Sequence, residues 1–465
     1  MLFRTFPPLL LLSCSVFFVV QPAHTTPLPE LLASLLQNHD RVQVAASRTE
    51  AAGHEVGQSR SGFLPAVDLT TDTGMENIDR EFGGSSDDWR YRATLRGTQL
   101  LSDFGRTATE VARARAVEER AQAQFNVVKQ DMLLEGVTAC MNLIRSRERL
   151  ARAEGSVASI EKQVAIEERL RAQGAGLSSD VLQAQAQLAG ARSIAASFEG
   201  ELLTAANRFQ NLFHLFPDKK EISGMALPDH IGEALPPSSE NALATGLAHN
   251  TFFSFAAKEV ALAEKELQVQ QKTLWPRLEF FAEAERRQDD DGSPGQRTDL
   301  AAGIQLTANL FRGFGDQQKI AAAQSRLQAA KSNLAFVRRQ VEEQVKNAWD
   351  SYMVAGKRAA LLQEQAESLD AFLKLARKER TMGVRSLLDV LNAEVAVLSA
   401  QSSAVAARVD QVTMACRLLH AMGTLSVDLF RLQEAAMQMD PATPVSRVRI
   451  SSLRLTDSTP DREAR

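Results

Sequence analysis

The sequence contains an internal duplication, and this feature constrains the fold more than any other. A segment that begins GAGLSSDVLQAQAQLA at Gly174 matches a segment that begins GVRSLLDVLNAEVAVL at Gly383, which aligns Asp180 with Asp389. Three further matches occur in the same order at offsets of 210 or 211 residues: Phe104 with Phe314, Pro65 with Pro276, and Leu36 with Leu247. Matches that keep one order along the chain indicate two copies of one structural plan.

Two long proline-free stretches predict unusually long helices. The chain has no proline between Pro65 and Pro217 and none between Pro294 and Pro441, and proline is the residue that most strongly breaks a helix. A helix over 104–173 would be about 105 Å long. Apolar residues also recur every seven positions, at Leu143, Leu150, Val157 and Val164 in the first repeat and at Ile320, Leu327, Leu334 and Val341 in the second. This spacing predicts helices that supercoil against their neighbours.

Each long helix is preceded by two segments with the alternation typical of β-strands. In the first repeat Trp89, Tyr91, Ala93 and Leu95 alternate with arginine and threonine, and residues 300–310 alternate in the same way. We predict strand hairpins at 65–101 and 276–310, with polar loops at 76–88 and 286–298. Trp89 and Tyr91 are candidates for aromatic side chains at a membrane interface.

Four amphipathic strands cannot form a closed barrel, and a lipid bilayer does not tolerate open strand edges. Known membrane barrels have about eight strands or more. Three copies of the chain would supply twelve. The sequence therefore predicts an obligate oligomer that shares one barrel, and a homotrimer is the most economical solution.

The N-terminus predicts export. Residues 1–25 combine a basic start at Arg4, an apolar run and a following stretch rich in small residues, as in a secretory signal peptide. The apolar run is too short for a membrane helix. Lipid attachment at Cys14 is an alternative, and the cleavage site stays open. Cys140 and Cys416 lie in helical sequence, where buried thiols are favoured over a disulfide.

Composition and motifs exclude several functions. The formal net charge is −4, and basic residues are interspersed with acidic ones, so no nucleic-acid partner is predicted. The seven histidines are scattered, and the sequence has no zinc-protease, nucleophile-elbow or phosphate-loop motif. We therefore predict no enzyme activity, no cofactor and no resident metal. The acidic run Asp289–Asp291 keeps a calcium site as a minor alternative to a hydrated loop.

The predicted organisation has five parts: a signal peptide at 1–25, a first repeat at 26–213, a linker at 214–240, a second repeat at 241–430 and a disordered polar tail at 431–465. The first repeat contains a long helix at 104–173 and a return helix at 177–213. The second contains a long helix at 314–382 and a return helix at 386–422. The fold class is α+β, with four strands per chain and an internal duplication.

Residues 28–430 resemble the TolC-type outer membrane efflux protein family. The resemblance rests on the duplication, on the D-V-L turns at Asp180 and Asp389, and on the ending LLHAMGTLSVDL. It implies a trimeric twelve-stranded β-barrel in the outer membrane, a long periplasmic α-helical barrel, and an equatorial region that includes the linker. It also implies a periplasmic adaptor protein and an inner-membrane ABC or proton-driven transporter as partners. Drug efflux, metal export and type I protein secretion remain open, with a slight preference for secretion.

The same resemblance places the two glycine turns at the periplasmic entrance. The residues it assigns to contacts with the adaptor are Gly174, Gly176, Leu177, Ser178, Gly383, Val384 and Ser386. Asp389 and Asp180 form an acidic ring in one interpretation and only stabilise helix starts in the other. Arg385 is the candidate gate latch, with a plain surface charge as the alternative. Arg380 stands where some family members have a tyrosine, and Asn392 stands where some have a second acidic residue. The resemblance therefore does not extend to the gate contacts that those two residues make.

The competing hypothesis is a periplasmic coiled-coil adaptor or interaction protein without a channel. Such a protein would share the signal peptide and the long helices. It would lack the two amphipathic strand hairpins, which are therefore the discriminating feature.

Overall fold

The computed structural model describes residues 28–80, 84–216, 227–291 and 293–430. The predicted signal peptide with Cys14, the predicted tail and part of the predicted linker lie outside the described residues. The same is true of Gly292 in the acidic loop.

The two halves of the chain have the same succession of elements. The first half contains helices α1 (Leu28–Asn38) and α2 (Asp40–Ser61), strands β1 (Ala66–Arg80) and β2 (Gly84–Ser102), and helices α3 (Arg106–Ala172) and α4 (Ser178–Phe213). A short 3-10 helix, Asp229–Ala234, precedes the second half. That half contains helices α5 (Ser239–His249) and α6 (Thr251–Lys272), strands β3 (Arg277–Asp290) and β4 (Ser293–Thr307), and helices α7 (Gly315–Thr381) and α8 (Leu387–Met422). The predicted α+β class with an internal duplication is confirmed.

The four strands form one antiparallel sheet in the order β1-β2-β3-β4. Gly97 of β2 lies opposite Val67 of β1 on one side and Ala282 of β3 on the other. Because β2 pairs with β3, the two repeats share a single sheet. β1 and β4 are its two edges.

The strands extend farther than the alternation predicted. Pairing of β1 with β2 continues to Arg80 opposite Gly84, and pairing of β3 with β4 continues to Asp290 opposite Ser293. The loops predicted at 76–88 and 286–298 are therefore wrong over most of their length. Polar side chains occupy both faces at these ends, so the period-two signal disappears while the backbone hydrogen bonds continue.

Helices α3 and α7 each contain 67 residues, which corresponds to a length of about 100 Å. Each begins a few residues after a strand, and each ends at one of the glycine turns. The sheet therefore lies at one end of the helices and the two turns lie at the other. Along the way α3 packs on α4, and α7 packs on α8.

The main hydrophobic core lies where the two repeats meet. It includes the buried side chains Leu32, Leu35, Met132, Met141, Leu143, Ile144, Phe209, Leu418, Leu419 and Met422. Smaller clusters follow the helices towards the turns, such as Ile160 with Leu391 and Leu373 with Val390. Among the described helices, α8 alone is long and apolar enough to cross a membrane by length and composition. Its most apolar window is 56% buried inside the protein, so packing accounts for its apolar character.

Cys140 and Cys416 are both free and buried, in agreement with the favoured interpretation of the sequence. Burial raises the pKa of each thiol to about 12. We expect neither thiol to react with iodoacetamide at pH 8 in the folded protein, because the thiolate is the reactive form. Both should react after unfolding in guanidinium chloride. Peptide mapping by mass spectrometry measures this directly, and labelling of either residue without denaturant would contradict it.

Candidate functional site

One face of the sheet is apolar and uncovered. The side chains that share it are Val67, Leu69, Met75, Trp89, Tyr91, Leu95, Phe280, Leu300, Ile304 and Leu306. Leu300 is 79% exposed and Leu69 is 68% exposed. A face of this size and composition, left open to solvent, is typical of a surface that contacts lipid or another protein.

The opposite face carries a network of ion pairs. Arg92 lies 2.9 Å from Asp290 and 3.4 Å from Glu285, and Arg96 lies 3.4 Å from Glu283 on the neighbouring strand. On β2 and β3, charged side chains of this face thus alternate with apolar side chains of the other face. The sheet therefore separates an apolar surface from a hydrated, charged one.

Aromatic side chains mark both ends of the apolar face. Trp89 and Tyr91 lie towards the hairpin ends of the strands, and both are exposed. At the other end, where the strands meet the helices, the ring of Phe104 lies 5.6 Å from that of Trp275. Lys272 donates to the carbonyl of Phe104 and lies 5.4 Å from the centre of the Trp275 ring.

This second group, which contains aliphatic as well as aromatic side chains, was not identified from the sequence. It also includes the exposed residues Phe63, Leu64, Leu274, Leu310, Phe311 and Phe314. The sequence does contain a signal for this group, because large apolar residues lie at all four junctions between strands and helices.

Both glycine turns have the same backbone hydrogen bonds. The N–H of Gly174 donates to the carbonyl of Arg171, and the N–H of Ala175 donates to that of Leu170. The corresponding bonds of the second turn involve Gly383 and Val384. Gly174 and Gly383 have φ values of 76° and 80°, a region that favours glycine. The duplicated motif therefore encodes the same helix ending twice.

The helix starts after the two turns differ. Ser386 caps α8, and its hydroxyl accepts from the N–H of Asp389 at 3.2 Å. In the first turn the corresponding position is Leu177, which makes no side-chain cap, and Ser178 is already the first helical residue. The duplicated motif therefore has a serine cap only at the second turn.

The surface of the turns is apolar and exposed. Leu177 is 67% exposed and Val384 is 75% exposed, with Met382 beside Val384. A side chain at Gly176 would have no room, because a Cβ there would lie 2.8 Å from the backbone nitrogen of Arg171. The first turn is therefore tighter than the second, which has Arg385 at the aligned position.

The two aspartates have different surroundings. Asp389 is exposed in the first turn of α8. Asp180 is partly buried, and its carboxylate lies 3.9 Å from the guanidinium of Arg380. Arg385 pairs with Glu379 of the preceding helix at 2.7 Å and stacks on Phe372. Of the two arginines beside the second turn, Arg380 and not Arg385 therefore contacts the other helical hairpin; the hairpins are α3–α4 and α7–α8.

Arg380 is one of two arginines of α7 that hold buried carboxylates. It lies 3.0 Å from Glu167 of α3, a residue that is only 3% exposed. One turn earlier, Arg377 binds Glu394 of α8, which is 4% exposed, and donates to the hydroxyl of Ser159 of α3 at 2.6 Å. That hydroxyl in turn donates to Glu394 at 2.8 Å. We call Arg377 and Arg380 with Ser159, Glu167, Asp180 and Glu394 the arginine clasp.

The clasp was not identified in the sequence, although two of its members carry a signal. Glu167 continues the seven-residue series of Ala153 and Ile160, and Glu394 follows Leu387 by the same interval. A carboxylate at a core position of a helical pair is costly unless a cation neutralises it. Such positions therefore predict a buried ion pair, but they do not identify the arginine.

The comparisons with known proteins cover both repeats. Residues 31–213 and 244–424 match the family model described as outer membrane efflux protein. The chain is 24% identical over 420 residues to the outer membrane efflux protein BepC of Brucella suis, with 89% of each chain covered. It is 26% identical over 463 residues to the alkaline protease secretion protein AprF of Pseudomonas aeruginosa, with 92% of each chain covered.

The fold is similar to that of a solved outer-membrane channel, OprN, with a TM-score of 0.73 at 21% identity. The match covers 86% of this chain and 90% of that one. Because the family model spans both repeats and the fold agrees, the chain belongs to the outer membrane efflux protein family, whose members are outer membrane channel proteins and not enzymes.

Proposed function

We propose that three copies of this chain form one channel that carries substrates from the periplasmic side to the cell exterior. The sheets combine into a twelve-stranded barrel in the outer membrane, and the long helices form a tube that extends into the periplasm. The turns at Gly174 and Gly383 form the entrance. A periplasmic adaptor protein and an inner-membrane ABC or proton-driven transporter complete the pathway.

The observation that carries this proposal is the sheet. Its apolar face is uncovered, its opposite face is charged, and its edge strands β1 and β4 have no partner strand among the described residues. In a bilayer each unpaired backbone group costs several kcal/mol, so the edges must pair with strands of other copies. A sheet of four strands from each copy closes when the edge β1 of one copy meets β4 of the next.

The turns suit the entrance of such a channel. Leu177 and Val384 present exposed apolar side chains that an adaptor could cover, together with the backbone at Gly174, Gly176, Ser178, Gly383 and Ser386. Asp389 is exposed and would be repeated in each copy, which supports an acidic ring that favours cationic passengers. The arginine clasp holds the two hairpins together, so we assign the latch to Arg380 within each chain, and Arg385 remains a candidate for contacts between copies.

Native mass spectrometry of the detergent-purified protein tests the assembly. We expect three chains per particle, and we expect the same preparation to form conducting pores in planar bilayers. A particle of two or four chains would overturn the trimer. A stable, detergent-free monomer without conductance would instead support the periplasmic adaptor hypothesis.

The names of the two relatives point to different passengers. One is described as an efflux protein and the other as an alkaline protease secretion protein, and the match to the secretion protein covers slightly more of the chain. We propose protein secretion as the first passenger class to test, with small-molecule efflux second. Deletion of the gene should abolish secretion of the passenger of a neighbouring ABC transporter, and unchanged secretion together with increased drug sensitivity would favour efflux.

The two faces of β4 provide a matched pair of substitutions. Leu300 lies on the apolar face, and its neighbour Ala301 lies on the charged face opposite Glu283. We expect Leu300→Arg to destabilise the inserted protein by about 2–4 kcal/mol if the residue lies near the bilayer midplane. We expect Ala301→Arg to have little effect, because its charge meets water and a carboxylate. Urea unfolding in liposomes measures the difference, and equal effects of the two substitutions would refute the lipid assignment.

A further inference from the structure

A cavity of about 440 Å³ lies between the two helical hairpins, away from the sheet and from the turns. Helices α3, α4, α7 and α8 all contribute to its lining. Its polar lining residues are three arginines and three serines: Arg145, Arg149, Arg358, Ser399, Ser402 and Ser403. The other residues that line it are apolar, and none of its lining residues is acidic.

Ser402 has a hydroxyl that is buried without a hydrogen-bond partner among the described residues, and the residue is only 6% exposed. Hydroxyl groups inside helices usually donate to the carbonyl four residues earlier. Thr413, in the same helix, does so at 2.8 Å. The Ser402 hydroxyl makes no such bond, and an unsatisfied buried donor is costly. This donor therefore lines the cavity with its hydrogen-bonding capacity unused.

Two of the arginines are held in fixed positions. The guanidinium of Arg149 stacks on Phe198 at 4.1 Å and pairs with Glu201 at 2.5 Å, but its buried Nε–H has no partner. Arg145 pairs with Asp410 at 3.5 Å and donates to Asn142 at 2.8 Å. Glu201, Asp410 and Asn142 are not among the residues that line the cavity. These partners orient the two guanidinium groups and offset part of their charge, while no carboxylate lines the cavity itself.

Arg358 supplies a third positive charge from α7. We propose that this cavity binds a small tetrahedral oxyanion, inorganic phosphate or sulfate, between Arg145, Arg149 and Arg358, with the Ser402 hydroxyl as a donor. Guanidinium and hydroxyl groups are the donors that proteins use for such anions, and hydrogen bonds to charged groups are the strong ones. The bound anion would join the α3–α4 hairpin to the α7–α8 hairpin.

Isothermal titration calorimetry on the detergent-purified, full-length protein tests the proposal, with phosphate titrated into chloride buffer at constant ionic strength. We expect saturable binding. Arg358→Gln should weaken it roughly tenfold or more, because one charge-assisted contact is lost. Lys357→Gln removes the same charge one residue away, at an exposed position that does not line the cavity. This control should leave phosphate affinity within about twofold of the original.

The Ser402→Ala variant distinguishes a loss of phosphate binding from a loss of folding. It removes an unsatisfied buried hydroxyl, so the variant should be at least as stable as the original without phosphate while its phosphate affinity falls. Absence of saturable binding would overturn the proposal, as would equal losses in the Arg358 and Lys357 variants. Tighter binding of acetate than of phosphate would also overturn it, since the cavity would then select carboxylates, such as those of a passing peptide.

Discussion

Replacement of Arg380 by glutamine is expected to raise the conductance of the channel in planar bilayers several-fold. Arg380 joins the second hairpin to Glu167 and Asp180 of the first, close to the turns that we propose as the entrance. Its loss leaves Glu167 buried without its cation, which typically costs about 3–5 kcal/mol. The hairpins can recover this free energy by separating, because the carboxylate then reaches water.

The matched control is Lys378→Gln, which removes a positive charge from an exposed position two residues away. We expect its conductance to remain that of the original protein. The conductance of the double variant Arg380→Gln with Glu167→Gln should return part of the way to that of the original protein, because no buried charge remains uncompensated. An Arg380→Gln channel with unchanged conductance would show that the clasp does not hold the entrance closed.

Replacement of Arg377 by glutamine is expected to destabilise the region around Glu394 by about 3–5 kcal/mol, since it removes one partner of a buried ion pair. Hydrogen exchange monitored by mass spectrometry measures this as local opening. Amides of peptides that contain Ser159 or Glu394 should exchange about 100-fold faster or more. Peptides from the strand sheet should be unaffected.

A double-mutant cycle identifies the cause. If Arg377 acts mainly on Glu394, the double variant Arg377→Gln with Glu394→Gln should lose less protection than the sum of the two single variants. Arg338→Gln is the surface control, because Arg338 pairs with Glu342 one helical turn away on an exposed face and should contribute well under about 1 kcal/mol. Additive losses in the cycle would mean that the two residues do not act as a pair.

The sequence predicted the elements whose signals are local. Proline-free stretches and heptads indicate α3 and α7, and glycine positions indicate the turns at Gly174 and Gly383. The alternation on β2 indicates a strand with an apolar face. The strand ends were predicted poorly, because Glu76 and Asp88 face each other in a paired region where both faces are polar. There the pairing rests on backbone hydrogen bonds, which leave no trace in side-chain polarity.

In the candidate site, too, the sequence predicted only the features that depend on neighbouring residues. Capping by Ser386 follows from its position before a helix, whereas the contact of Arg380 with Glu167 joins residues that are 213 positions apart. An arginine on an exposed helix face has many possible partners in the sequence. Only the packing of α7 against the first hairpin selects one of them.

The shared sheet also sets the order in which the molecule can be built. Gln99 of β2 pairs with Phe280 of β3, so the β1–β2 hairpin cannot complete its pairing until the chain up to β3 has crossed the inner membrane. Polypeptides are exported with the N-terminus first, and closing the long loop between β2 and β3 is slow. During that interval Leu69 and Leu95 face water on a ribbon with an open edge, which is prone to aggregate. We therefore expect a newly exported chain to need protection from aggregation, such as an escorting chaperone, until β3 arrives.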